Sequence, residues 1–573
     1  MRSDIRIKNV YPEIEGGRFP VKREVDRSFR VTADIYSKGP TEAYLLYRKK
    51  FPESSPWFRV PMIKEGDVRY SGNFPLNDML GWCQYTVEAN LKSDNDRKTT
   101  YTHVLEIIVG PMRARYAAWY EMFHRSQGRV PGKSATFDDM IARLPDIKRM
   151  GFEVIYLPPI HPIGRTNRKG PNNSLRAGPA DPGSPWAVGN EDGGHKAVNP
   201  ELGTLDDFRR FVKACRKMGM DVALDFTTNC SPNHPWIKEH PNWFFHNPDG
   251  SIRYAENPPK KYEDVCPMNL MPEDREEEWN EIKGILTFWL DQGVTAFRID
   301  NPHTKPEAFW EWIIREVTRD YPGTVFLSEA FTDYDKLESL SRLGFSQSYT
   351  YFTWRTAKNE LIEYLLKLTN SYLKEFLRPN FFVNTPDIHP PMLFTGGRPA
   401  FKMRIALAAT SSSLYGMYNG YEVLENDKLP YKDELKNSEK YEYKVRDWDA
   451  PGNIKDYIAR LNHIRRENPA LHYTDNLRIY NSTDDSVLFY GKTSPDGRNT
   501  IFAAINLDPF RHVTSRVTVP VEEFGISSDE EYKVRELITD TLHTWRGREN
   551  YITLDPNVEP AAIFRCEKRP LTL

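Results

Sequence analysis

Three acidic residues near the middle of the 573-residue chain are spaced to do chemistry. Asp300 ends the segment Phe297-Arg298-Ile299-Asp300, Glu329 ends Val325-Phe326-Leu327-Ser328-Glu329, and Asp387 ends Phe381-Phe382-Val383-Asn384-Thr385-Pro386-Asp387. Each follows a short apolar run that reads as a buried parallel strand. A carboxylate at the C-terminal end of a barrel strand is where catalysis sits in a (β/α)₈ fold. A helix cap accounts for one such residue, but not for three in order with an arginine two residues before the first. The trio points to glycosidic chemistry, in which a retaining reaction needs an ionised nucleophile and a protonated acid about 5 Å apart. Arg298 projects to the same side of its strand as Asp300 and would keep it ionised, making Asp300 the nucleophile. The apolar neighbours Phe326, Leu327, Ala330 and Phe331 would raise the Glu329 carboxyl and suit it to be the acid/base. Asp387 is then free to hold sugar hydroxyls and stabilise an oxocarbenium-like transition state.

The elements that must position this trio follow from patterning. A chain of this length exceeds one ordinary core and predicts about three domains. Residues 1–110 alternate apolar and polar in short runs, such as Phe29–Ile35 and Tyr101–Ile107, and predict an N-terminal β-sandwich. Residues 111–472 alternate strands with amphipathic helices, predicting an α/β fold, a (β/α)₈ TIM barrel. Thr204 caps a helix in which Leu205, Phe208, Val212 and Cys215 recur at helical spacing, before the strand Val222–Phe226. A loop subdomain of about 227–270 follows that third strand, where substrate sites are built. Residues 473–573 return to short β runs and predict a C-terminal β-sandwich.

Composition removes other classes. A net charge of −2 argues against a nucleic-acid partner. The five scattered cysteines form no CxxC or Cys/His pattern, so neither a disulfide framework nor a zinc site is implied. The acidic residues of 227–270 lack calcium-ligand spacing, and no metal and no cofactor are expected. No dinucleotide or P-loop fingerprint is present. No stretch is long enough to span a bilayer and the N-terminus lacks a signal-like apolar region, so a cytoplasmic protein without a membrane partner is expected.

Placed on a barrel, Asp225 on the third strand, Arg298-x-Asp300 on the fourth, Glu329 on the fifth and Asp387 on the seventh resemble the α-amylase superfamily. Within it the chain is similar to the bacterial maltose-1-phosphate maltosyltransferases. That similarity is carried by Tyr156–Gly164, Arg168–Asn173, Gly193-Gly194-His195, Asn257–Tyr262 and Asp300–Pro306. The resemblance implies a sugar-phosphate donor and an α-glucan or maltooligosaccharide acceptor. It also implies a phosphate pocket of Ser184, Asn257, Lys260, Tyr262 and Asn301, with Lys169 and Asn229 near the donor sugars. Cys230 and Pro386 stand where ordinary amylases carry histidines, as in the maltosyltransferases. Asn229, by contrast, replaces their usual glutamine. The helical segment those enzymes carry between sandwich and barrel has no counterpart before Trp119, which leaves monomer and homodimer both open. Two further readings remain: an amylase-type hydrolase or transglycosylase with the same trio, and a non-catalytic carbohydrate-binding protein.

Overall fold

Eight short strands, each followed by a helix, close into a parallel barrel. Numbering the barrel alone, the strands are β1 (Ala117–Glu121), β2 (Val154–Leu157), β3 (Asp221–Phe226) and β4 (Ala296–Ile299). They continue as β5 (Val325–Ser328), β6 (Gln347–Tyr349), β7 (Pro379–Phe382) and β8 (Leu414–Tyr418). The helices are α1 (Phe137–Met150), α2 (Leu205–Lys217), α3 (Asn280–Asp291) and α4 (Glu307–Asp320). The last four are α5 (Tyr334–Arg342), α6 (Lys358–Asn370), α7 (Pro391–Ser411) and α8 (Lys455–Glu467). This computed structural model describes residues 5–92, 94–257, 260–271, 275–430 and 432–566.

The strands read as continuous apolar runs because both their faces are buried. Trp119, Tyr156, Ala223, Leu327, Tyr349 and Phe382 fill the barrel interior. Their neighbours Tyr120, Ile155, Leu224, Phe297, Phe326 and Phe381 pack outwards against the helices. Phe382 stacks on Tyr349 with ring centroids 4.4 Å apart, and Gly416 on β8 has no room for a Cβ beneath the Phe382 ring. Thr136 and Thr204 close capping boxes with Asp139 and Asp207 at the starts of α1 and α2. After β3 the chain makes its long excursion, which holds two small ribbons. Asn229–Cys230 pairs with Cys266–Pro267, and Ala255–Asn257 pairs with Lys260–Tyr262.

Ahead of the barrel lie a four-stranded and a six-stranded sheet, whose shared core includes Phe29, Val31, Leu45, Tyr85, Val87 and Ile107. The run Tyr101–Ile107 is not one strand: the strands are Asp94–Thr100 and Leu105–Gly110. Tyr101 is held at the break by its N–H on the Val87 carbonyl, and its hydroxyl donates to Glu13 at 2.7 Å. Only one short turn, Met112–Ala114, separates Gly110 from β1, so no helical segment intervenes. Beyond α8 a six-stranded sheet and a two-stranded ribbon complete the chain. They lean on the barrel through Thr410 and the Tyr490 hydroxyl at 2.5 Å, and through Arg460 donating to the Leu537 carbonyl at 2.7 Å.

The N-terminal sheets are fastened to the barrel by a buried lysine. The Lys22 ammonium donates to the carbonyls of Ser341 at 2.6 Å, Phe376 at 2.5 Å and Phe345. Beside it, buried Glu24 is shared by Arg115 and Arg378 at 3.2 and 3.1 Å, which hold its carboxyl down at about 2 against the effect of burial. Replacing Lys22 with Met leaves three buried carbonyls without a donor. The expected cost is roughly 3 kcal/mol or more, read as a lower urea midpoint of unfolding; an unchanged midpoint would contradict this role.

Candidate active site

Strands β3, β4 and β5 deliver Asp225, Asp300 and Glu329 around one buried guanidinium. Arg298 donates from one terminal nitrogen to Asp225 and to Asp300, both at 2.8 Å, and its other terminal nitrogen lies 2.9 Å from a Glu329 oxygen as an ion pair. Asp300 and Glu329 thus sit against the two terminal nitrogens of one guanidinium, an arrangement compatible with the roughly 5 Å that separates a retaining pair. The second oxygen of Asp300 accepts from the Thr227 hydroxyl at 3.3 Å, and that of Glu329 from the Asn301 backbone N–H at 3.1 Å. Asn301 can present that N–H because it turns into the left-handed region, at φ 45° and ψ 49°. Tyr156 at 2.6 Å and the Trp186 indole at 3.2 Å donate to the same Asp225 oxygen as Arg298.

Burial and charge set the protonation. Burial pushes Glu329 up to about 7, with Arg298 opposing it and Asp300 and Asp387 adding to it. The surroundings of Glu329 are therefore not simply apolar, as its sequence neighbours suggest: a guanidinium touches it, and desolvation still wins. Asp225 is likewise raised by burial to about 7 against Arg298. Asp387 is not free. Lys440 donates to it at 2.7 Å from the loop after β8, and although burial disfavours that ammonium, Asp387 raises it well above the ordinary lysine value.

A cavity of about 960 Å³ opens above these groups. Lys169, Ser184, Asn229, Tyr262, Asp300, Asn301, Glu329 and Asp387 all line it, and Arg298 lies beneath. The Lys169 ammonium is paired with Glu263. Asn257 and Lys260 face each other across the ribbon that carries Tyr262, but their side chains fall outside the described residues. Phe245, Tyr254, Phe331 and Trp354 contribute aromatic faces on which sugar rings stack.

Sequence reasoning missed Lys440, Tyr441, Trp186 and Asp264, which also line the cavity. Lys440 lies 53 residues beyond its partner Asp387 in a charged loop with no motif to mark it. Tyr156 opens one of the singled-out segments but carried no assigned role. Among the described residues, His195, Cys230 and His234 form one buried group of metal-ligand types. His234 Nδ1 accepts the Trp236 N–H at 3.1 Å, so a neutral His234 keeps its proton on Nε2 and offers a metal no free lone pair. No helix of the described residues is long and apolar enough to cross a membrane.

Comparison with known proteins finds relatives along nearly the whole chain. Residues 3–113 match the family described as alpha-1,4-glucan:maltose-1-phosphate maltosyltransferase, domain N/S. Residues 119–281 match the alpha amylase catalytic domain, and residues 479–566 match the C-terminal domain described as GLGE. An alpha-1,4-glucan:maltose-1-phosphate maltosyltransferase of Rhodospirillum rubrum is 53% identical, covering 98% of this chain and 95% of that protein. One of Pseudomonas aeruginosa is 50% identical, covering 98% and 96%. The first alignment runs over 651 positions, more than this chain has residues, so the relative holds segments without a counterpart here. Among solved structures, an alpha-amylase from Lactobacillus plantarum superposes with a TM-score of 0.60 at 20% identity, covering 79% of this chain and 99% of that one.

Two outcomes follow for the carboxyl cluster. A lysine in place of Arg298 offers a compact point charge instead of two terminal nitrogens set apart in a plane, and does not match the spread of the three carboxyls. R298K is expected to lower kcat by about 10²–10³ while circular dichroism stays native. A Glu329 raised to about 7 holds its proton below that pH and loses it above. Turnover of a donor whose leaving group needs a proton should therefore decline above pH 7, and a profile flat to pH 8.5 would rule out the raised acid.

Proposed function

The chain belongs to the alpha-1,4-glucan:maltose-1-phosphate maltosyltransferase family, and from that premise we propose that it transfers maltosyl units from maltose 1-phosphate to the non-reducing end of α-1,4-glucans. The observation that supports the mechanism is the Arg298 guanidinium between Asp300 and Glu329, which brings two carboxyls together as a retaining reaction requires.

An Asp300 oxygen attacks the anomeric carbon of the donor. The bond from that carbon to the phosphate oxygen breaks, its electron pair leaves with the phosphate, and a β-linked maltosyl-enzyme forms. Glu329 holds a proton for the departing oxygen and, once ionised, takes the proton of the acceptor 4-hydroxyl. The acceptor oxygen displaces Asp300 and restores the α configuration. Asp387, held by Lys440, accepts from sugar hydroxyls as positive charge builds on the ring. Tyr262, Asn301 and Ser184, with Asn257 and Lys260, form the phosphate pocket, while Lys169 and Asn229 face the donor sugars. Neutral donors around few cations hold a phosphate without trapping it. A sugar-phosphate substrate and five free buried thiols support a cytoplasmic location.

The reading is tested by supplying maltose 1-phosphate with glycogen and assaying phosphate. Release with glycogen elongation is expected; starch hydrolysis without phosphate release would favour the amylase-type alternative instead. Asp300→Ala should abolish turnover. Glu329→Ala, given α-maltosyl fluoride, should accumulate a covalent maltosyl adduct visible by intact-mass spectrometry. Absence of any adduct would count against the assigned roles.

A further inference from the structure

The residues following Asp300 fold back onto the cavity. Asn301 is left-handed, Pro302–Thr304 make one turn, and the Lys305 N–H closes it on the Pro302 carbonyl at 3.2 Å. The Trp310 indole also donates to that carbonyl, at 2.8 Å, and pins the turn to α4. As a result Asp300, Asn301, Thr304 and Lys305 all line the cavity.

Lys305 is 5% exposed. Its ammonium donates to the Met268 carbonyl at 2.7 Å, and among the described residues it has no other acceptor and no carboxylate at ion-pair distance. The other cations of the wall differ. Lys169 is paired with Glu263 and Lys440 with Asp387. Lys261 is 60% exposed beside Glu256, and Arg253 and Lys432 stand exposed at the rim. Arg298 is committed to three carboxyls below. Lys305 is thus the buried cation of this wall without a direct ion pair, Glu278 acting on it only from beyond that distance, and it has two N–H groups to spare. A buried charge without a counter-ion is costly unless a ligand completes it.

We propose that Lys305 is a phosphate-binding residue, placing an ammonium on the phosphate monoester of the donor from the nucleophile's own turn. The inference rests on the maltosyltransferase reading and adds a second anchor to the pocket around Tyr262 and Asn301. As the bond to the anomeric carbon breaks, negative charge grows on the phosphate, and Lys305 stabilises it without transferring a proton. Burial lowers this lysine to about 8, with Glu278, Cys230 and Asp300 as the titratable groups that face it and offset part of the effect. It is therefore a cation at neutral pH and loses its charge as the pH rises through 8.

Lys305→Gln retains a donor for the Met268 carbonyl and removes the charge, so it separates anion binding from structural support. Inorganic phosphate titrated into wild type and variant by calorimetry should bind the variant about 10-fold or more weakly. The variant's kcat/KM should fall far more with maltose 1-phosphate than with α-maltosyl fluoride, whose leaving group needs no such pocket. Unchanged phosphate affinity, or equal losses with both donors, would mark Lys305 as structural and overturn the proposal. A wild type that binds no phosphate overturns it too. A wild type that binds phosphate but does not release it from maltose 1-phosphate defeats the maltosyltransferase reading alone, and the phosphate titration still decides the role of Lys305.

Discussion

One guanidinium serving three carboxyls is the constraint on which this site depends. Arg298 carries a single positive charge and meets Asp225, Asp300 and Glu329 within 2.9 Å. A fourth carboxyl, Glu121 at the end of β1, is fully buried, is pushed well above its ordinary range by burial, and is also within electrostatic reach of Arg298. Four anions around one cation in a desolvated barrel cannot all persist. Burial accordingly raises Glu121, Asp225 and Glu329, which favours protons on these carboxyls over a full set of anions around Arg298. A raised Glu329 is also what the proposed chemistry needs of its acid. Catalytic readiness and the stability of the barrel mouth are then two consequences of the same charge balance.

Holding that guanidinium still is the work of the rest of the fold. Its strand lies between β3 and β5, and every other residue of these strands packs outward onto helices. Inside, Tyr349 and Phe382 stack under the site, and Gly416 leaves them room. The carboxyls reach their positions by strand register, whereas much of the cavity wall arrives on loops: Lys440 after β8, Trp186 after β2, and the Tyr262 ribbon after β3. Precision is assigned to strands and variety to loops, which is how one barrel supports many specificities.

This division decides what could be read in advance. The trio, Arg298 and the barrel were legible because strand-end carboxylates sit beside local apolar runs, and because Asp300 and Arg298 are neighbours in sequence. The raised Glu329 was anticipated for an incomplete reason, since its sequence neighbours do not reveal the guanidinium arriving from β4. The hold of Lys440 on Asp387 was not legible at all. It joins two loops across 53 residues, and nothing local to either residue announces the pairing. The break at Tyr101 was hidden for a related reason, because alternation persists through a segment that leaves one strand and starts another.

Likeness of fold and identity of donor are separable here. The Lactobacillus plantarum amylase shares the barrel at 20% identity, and retaining chemistry on this scaffold is indifferent to what departs. The donor is decided by the charge left over once the wall has paired its own ions. Lys169 and Lys440 are neutralised by carboxylates, so they orient without attracting an anion strongly. A wall built only in this way suits an uncharged glucan. What makes it suit a phosphate is cationic charge kept dry and out of direct ion pairs close to the nucleophile, and Lys305, in the turn that begins at Asn301, is where the described residues keep it.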